Sequence, residues 1–346
     1  MRRREFITLL GSGAAAAWPL AARAQQTEKI PVVGFFYPGP KVAAPIRITA
    51  FLAGLRSGGF SEPANVRLIS QITNGDPSLL SPMAADLVAR KVDLIFAVSS
   101  TALQAARDAT TTIPILSIDL ETDPIGSGLA NTTAQPGGNI TGIFLDFPDF
   151  GKKWLEVLKE TIPQVSTVAV LWDPATPKTQ LTAIQVAARI LNLKLEVLEV
   201  QSRADLEAAF PSASRRAAGA VVILTSALTG ANTNLLAELA LTQKLPAITL
   251  FSDFARNGGL MAYGPNLLAQ FRLAGVMAAK ILNGTKPAVL PIESPTRFEF
   301  VLNLKPQASL DLPFRLLCCY APTRSSNNDH FFLRRMSSLL AQSGHC

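Results

Sequence analysis

Hydroxyls, carboxylates and aromatic rings recur in this chain just after short apolar runs, a spacing that suits holding a small polar ligand better than transforming one. Ser99, Ser100 and Thr101 follow one such run and open a helical pattern, so free N–H groups and hydroxyls would converge there on a carboxylate. Asp119 and Asp123, in the stretch Asp119-Leu120-Glu121-Thr122-Asp123-Pro124, could accept hydrogen bonds from an ammonium or another polar head. Tyr37, Trp172, Phe251 and Tyr263 offer flat contact faces with few rotatable bonds, and Thr225 and Ser226 add hydroxyls. Each group also has a plainer use. Ser99 or Ser100 could only cap a helix, Phe251 could be ordinary core, and the acids could sit in a solvated loop, which is the preferred reading for Glu121. Two acids in one loop are not thereby an acid–base pair, because spacing fixes neither their separation nor their ionisation.

Other chemistries are removed by where residues fall. His330, His345, Cys318, Cys319 and Cys346 are the only histidines and cysteines, and all lie in the last stretch. The body of the chain therefore offers no Cys/His zinc site, no cysteine nucleophile and no Ser-His-Asp triad, and it implies no cofactor. Carboxylate-only or lysine-based chemistry stays open. The net charge of +7 is concentrated at the ends: residues 1–24 hold four Arg and one Glu, residues 313–346 four Arg and one Asp, leaving +1 between them. With no basic stripe interleaved with aromatics in that middle, nucleic-acid binding is rejected.

The elements that must position these groups alternate. At 346 residues, with 48% apolar and 16% charged residues, the chain is long for one compact domain and suits two lobes. β-type runs at 31–36, 66–72, 92–98 and 113–118 interleave with helical spacing at 46–58, 80–90 and 101–109. The pattern turns irregular and polar over 144–151. It then resumes with helices at 152–161, 178–191, 203–214 and 232–243 and strands at 167–172, 194–200, 220–225 and 247–251. A helix at 267–282 and a strand at 298–302 could return the chain to each lobe. This predicts an α/β protein with two doubly wound parallel-sheet lobes joined by hinge strands, its ligand held at the carboxyl ends of the strands.

Residues 1–24 read as an export signal: Met1-Arg2-Arg3-Arg4 leads into an apolar run over 7–20, too short to span a bilayer, and Ala22-Arg23-Ala24 suits cleavage before Gln25. Arg3-Arg4-Glu5-Phe6-Ile7 resembles a twin-arginine signature.

Four stretches, Met1 to Ile7, Gln135-Pro136-Gly137-Gly138-Asn139-Ile140-Thr141-Gly142, Gly258-Gly259-Leu260-Met261-Ala262-Tyr263-Gly264 and Pro295-Thr296-Arg297-Phe298-Glu299, together resemble ABC-transporter substrate-binding proteins of the tryptophan/tyrosine transport type. The resemblance runs from Met1 to about Leu312. It implies the type I periplasmic binding-protein fold, a periplasmic location, a small organic ligand such as an amino acid or related carboxylate, an ABC permease in the inner membrane as partner, and no catalysis. A ligand-sensing partner of a membrane receptor is the alternative. The lobes are expected to comprise 25–145 plus 265–290 and 146–264 plus 291–312. Residues 313–346 depart from the family pattern. Codons allowed for Phe314 to Asp329, read one base earlier, spell Val-Pro-Pro-Ser-Val-Leu-Leu-Arg-Ala-Asp-Glu-Val-Ile-Glu and then stop, an ending similar to the family's own. That predicts a frameshifted tail, poorly packed from Phe314, with Cys318 and Cys319 carrying no evolved role. The other reading is a genuine extension tethered by a disulfide.

Overall fold

The computed structural model describes residues 30–145, 147–303 and 331–337, with 147–149 and 331–337 as backbone. The first strand, β1 (Val32–Tyr37), is buried at every position. A run without polar alternation needs a sheet covered on both faces. Its neighbours β2 (Arg67–Ile72), β3 (Leu94–Val98), β4 (Ile115–Asp119) and β5 (Ile140–Phe144) complete an all-parallel sheet in the order β2-β1-β3-β4-β5. Parallel pairs need long crossovers, and α1 (Ala44–Ser57), α2 (Leu80–Ala89) and α3 (Ser100–Ala109) supply three of them.

The second sheet repeats the plan. β6 (Thr167–Trp172), β7 (Lys194–Glu199), β8 (Ala220–Ile223), β9 (Ala247–Thr249) and β10 (Met261–Pro265) are parallel, with α5 (Thr179–Ile190), α6 (Arg203–Arg215), α7 (Ala227–Ala231), α8 (Thr233–Thr242) and α9 (Ser252–Arg256) between them. β11 (Arg297–Asn303) and β12 (Phe331–Ser337) add on antiparallel, giving the order β12-β11-β10-β9-β8-β6-β7. In each sheet the order reverses beside one strand, at β1/β3 and at β6/β8. Chain crossings diverge there and leave a crevice beyond the strands' carboxyl ends.

Three segments connect the sheets. The first leads from β5 into α4 (Phe147–Thr161), which packs on α5 and β9. The second leads from β10 into α10 (Leu267–Leu282), which packs on α1. The third passes Glu293, bridged beside Ile143 at the edge of the first sheet, before entering β11. The α1–α10 contact is possible only because Gly54 and Gly275 face each other: a methyl group on Gly54 would strike the Arg272 carbonyl oxygen, and one on Gly275 the Phe51 carbonyl oxygen. That approach drives Phe271 into a ring cluster with Phe35, Phe51 and Phe96, in which Phe51 and Phe96 stack at 4.5 Å. On the other side of the molecule the Trp154 indole N–H donates to the Tyr263 carbonyl at 2.7 Å, fixing α4 against β10.

Four elements differ from the sequence reading. β5 and β10 are strands that the sequence reading did not place, and α4 starts at Phe147 within a stretch expected to be irregular. Phe331–Ser337 pairs with the whole of β11, against the expectation that everything from Phe314 is poorly packed. Cys318, Cys319, Cys346 and the leader over 1–24 lie outside the described residues.

Candidate functional site

The carboxyl ends of β1, β3 and β4 face those of β8 and β9 across a cavity with about 60 Å³ of room for the centre of a water-sized sphere. Tyr37, Pro38 and Gly39 come from the end of β1, Val98 and Ser99 from β3, and Leu120 and Glu121 from beyond β4. Thr225, Ser226 and Phe251 face them from the second sheet, and Arg47 of α1 and Phe271 of α10 close one side. Cavities of about 360 and 550 Å³ extend the same cleft. They meet at Thr101 and Ala175 and take in Asp173 and, further on, Ser100 and Asp119.

Local chemistry fixes each group. Ser99 ends β3 at φ 83° and ψ 159°, a region normally left to glycine. It is pinned there by its N–H donating to the Ile118 carbonyl at 2.8 Å and its carbonyl accepting from Leu103 N at 3.0 Å. The turn aims the free N–H groups of α3 at the cleft. One of them, Ser100 N, donates to Glu121 Oε2 at 2.6 Å. Asp119 Oδ1 accepts from Glu121 N and Thr122 N at 2.9 and 3.0 Å, folding the loop so that both carboxylates are buried. In the second sheet Gln180 accepts from Thr225 N at 2.8 Å and donates to its carbonyl at 2.7 Å, while Ser226 and Thr229 cap α7 reciprocally.

The charges are sparse. Arg47 is buried, its guanidinium 4.9 Å from the Tyr37 ring centre and 5.8 Å from that of Phe271, and 3.9 Å from Asp253 of α9. Burial lowers its pKa, opposed by the charge of Asp253. Glu121 is only 4% exposed, and burial, then the neighbouring Asp119 charge, push its pKa up to about 8 against the hydrogen bond from Ser100 N. Burial raises Asp119 to about 6, and it raises Asp173, which faces the cleft beyond β6. Among the described residues, Tyr37 Oη, Thr225 Oγ1, Ser100 Oγ and Asp119 Oδ2 are buried without a hydrogen-bond partner. Buried polar atoms left unpaired in this way are groups a ligand can satisfy. The cavity thus offers a cation, an acid, unpaired hydroxyls and three rings to one small guest.

Of the sequence-derived candidates, Tyr37, Ser99, Thr225, Ser226 and Phe251 line this cavity, and Ser100, Thr101 and Asp119 line its extensions. Three do not. Asp123 turns back on its own loop, accepting from Ile125 N at 2.9 Å. Trp172 is buried with its indole N–H unpartnered and lines none of the three cavities. Tyr263 stands within β10, packed in one ring cluster with Phe150 at 5.2 Å and Phe298 at 5.9 Å, because that strand is paired on both sides rather than looped toward the cleft. Arg47 and Phe271 were not anticipated, and Glu121 was set aside as solvated. The sequence does carry a signal for Arg47: it is the one charged residue on the buried stripe Ala44, Arg47, Phe51, Gly54, Leu55 of α1.

Residues 45–315 match the family described as ABC transporter substrate binding protein. The chain belongs to that family. As a substrate-binding protein of an ABC transporter it has a small-molecule ligand and a permease partner, and none of its described helices is long and apolar enough to cross a membrane. It is 24% identical over 264 residues to a tyrosine-binding protein of Clostridioides difficile (strain R20291), covering 76% of this chain and 75% of that one. Its fold is that of the ABC domain of Streptococcus pneumonia in complex with L-Trp, at TM-score 0.74 and 22% identity over 82% of this chain and 95% of that one. It is also that of a substrate binding protein with adhesive properties from Clostridium difficile in its ligand-free, open form. There the TM-score is 0.60 and the identity 24%, over 87% and 98% of the two chains. This substrate-binding protein therefore has the two-lobed type I periplasmic binding-protein fold.

Proposed function

We propose that the cleft captures an aromatic α-amino acid outside the inner membrane and presents it, between closed lobes, to the membrane permease. The observation that carries this is the meeting of Arg47, Glu121 and the rings of Tyr37, Phe251 and Phe271 at one small cavity. A zwitterion needs both signs of charge within a few ångströms, and an aromatic side chain needs flat apolar walls. The ligand carboxylate goes to Arg47 and the unpaired hydroxyls of Tyr37 and Thr225, and the ammonium to Glu121. The ring goes between aromatics supplied by both lobes, so that ligand favours closure. The relatives named for tyrosine and crystallised with L-Trp support the ligand class. The basic and apolar leader supports export with cleavage before Gln25.

On this reading the ligand leaves unchanged, in keeping with the substrate-binding family to which the chain belongs. A thermal-shift screen of the full chain tests it. L-tryptophan or L-tyrosine at about a hundred times Kd should add about 2.7 kcal/mol of stability, several degrees in Tm, while L-alanine and aromatic acids lacking the amine do not. Equal shifts from ligands without a ring or without an ammonium would overturn it.

A further inference from the structure

We propose that Glu121 and Asp119 hold a proton in the ligand-free protein and release it to solvent when a ligand ammonium arrives, so that capture is proton-linked and weakens on acidification. The inference rests on the amino-acid reading above and adds a regulation to it.

The geometry sets a conflict of charge. Asp119 is 0% exposed and Glu121 4%, Asp119 at the last position of β4 and Glu121 two residues beyond it. Between them they receive three backbone N–H bonds, from Ser100 to Glu121 and from Glu121 and Thr122 to Asp119, and Asp119 Oδ2 has no partner. The charged groups around them make matters worse. Asp173, beyond β6 in the second sheet, adds a third acid that disfavours the Glu121 anion. Arg47, from α1, faces the same cavity, but it lies over the Tyr37 and Phe271 rings and makes its ion pair with Asp253 of α9. Arg107 and Asp108 of α3 line the 550 Å³ cavity with Asp119, one charge of each sign, while α7 and α10 bring only uncharged groups, Ala227, Gly230, Leu267 and Phe271. Two buried like charges without a cation between them are relieved by one proton, and burial accordingly holds Glu121 protonated to about pH 8. An entering ammonium supplies the missing cation. The exchange balances: the carboxylic acid and the ammonium ion give a carboxylate–ammonium pair and one proton taken up by buffer. A free α-amino acid keeps one charge of each sign from pH 6 to pH 8, so the pH dependence belongs to the protein.

The test is calorimetric titration of the full chain with L-tryptophan and L-tyrosine in phosphate and in Tris, whose ionisation enthalpies differ, at pH 6, 7 and 8. Release of close to one proton per ligand at pH 7 is expected, with binding about fifty-fold weaker at pH 6 than at pH 8. Glu121→Gln, close to the same shape, should bind more weakly at pH 8 yet lose most of the proton release and the pH dependence. Asp119→Asn should move the dependence to lower pH by removing the neighbouring charge. Binding with no proton exchange and the same Kd at pH 6 and pH 8 overturns the inference and leaves the amino-acid reading standing. No binding of either amino acid at any pH overturns both.

Discussion

Replacing Ser99 by glycine should make the protein more stable and a poorer binder. Ser99 holds φ 83° and ψ 159°, where a side chain costs about 1–3 kcal/mol. Glycine removes that strain. Against the gain stand about 0.4–1 kcal/mol for the extra freedom of glycine in the unfolded chain and a few tenths for the helix cap. The cap is weak in this protein, because Ser99 Oγ accepts from Ala102 N only at 3.5 Å. The balance is about 1 kcal/mol of stabilisation, or about 1–2 °C in Tm for a protein of this size. Affinity should move the other way. The Ser99 hydroxyl lines the cavity and leans on Thr101 Oγ1 at 3.0 Å, so its loss should weaken ligand binding by about 0.5–1.5 kcal/mol. Paired thermal melts and calorimetric titrations of the parent and Ser99→Gly read both effects. A variant less stable than the parent by 1 kcal/mol or more, with affinity unchanged, would refute the argument that strain is kept at Ser99 for the sake of the cleft.

Three further outcomes follow from the packing and the charges. Gly54→Ala should destabilise by several kcal/mol in chemical denaturation, since its methyl meets the Arg272 carbonyl where α1 and α10 touch, whereas Gly59→Ala, with open space around it, should be limited to the strain of its φ of 93°. Arg47→Met keeps the unbranched stem but removes the cation, and should weaken amino-acid binding by about 1.5–3 kcal/mol, about ten- to a hundred-fold, in equilibrium dialysis. Because burial raises the Glu121 pKa above its unfolded value, its contribution to ligand-free stability is full below the unfolded pKa and is lost as pH rises to about 8. Denaturation midpoints should therefore fall between pH 5 and pH 8 for the parent and fall less for Glu121→Gln.

The fold was legible wherever burial is written into local composition. The apolar run Thr167–Trp172 and the periodic Leu267–Leu282 were placed to the residue, because a short apolar run with two valines and a long apolar stripe each have one favourable conformation. β5 and β10 were not, because Gly142 and Gly264 look like turn residues. They are strand residues because their neighbours leave no space: a methyl on either would meet the backbone of Ser117 or Leu250. The site divides in the same way. Residues directly after strands, such as Tyr37, Ser99 and Thr225, could be found by rule. Glu121 could not, because its burial depends on the N-terminus of α3 folding over it from Ser100, and Phe271 comes from a helix nearly 150 residues beyond Glu121 in the chain. Tyr263 misled for the opposite reason, since its neighbouring glycines suggested a loop and its pairing with Phe300 in β11 makes it core.

The central claim, that one cleft recognises both charges and the ring of an aromatic amino acid, is tested most directly by a crystal structure of the full chain grown with L-tryptophan. The account predicts the ligand between the two sheets, its ammonium within hydrogen-bond reach of Glu121, its carboxylate on Arg47 and its indole against Tyr37, Phe251 and Phe271. A ligand seated elsewhere, or one lying in the cleft with neither charge paired to Glu121 or Arg47, would contradict it.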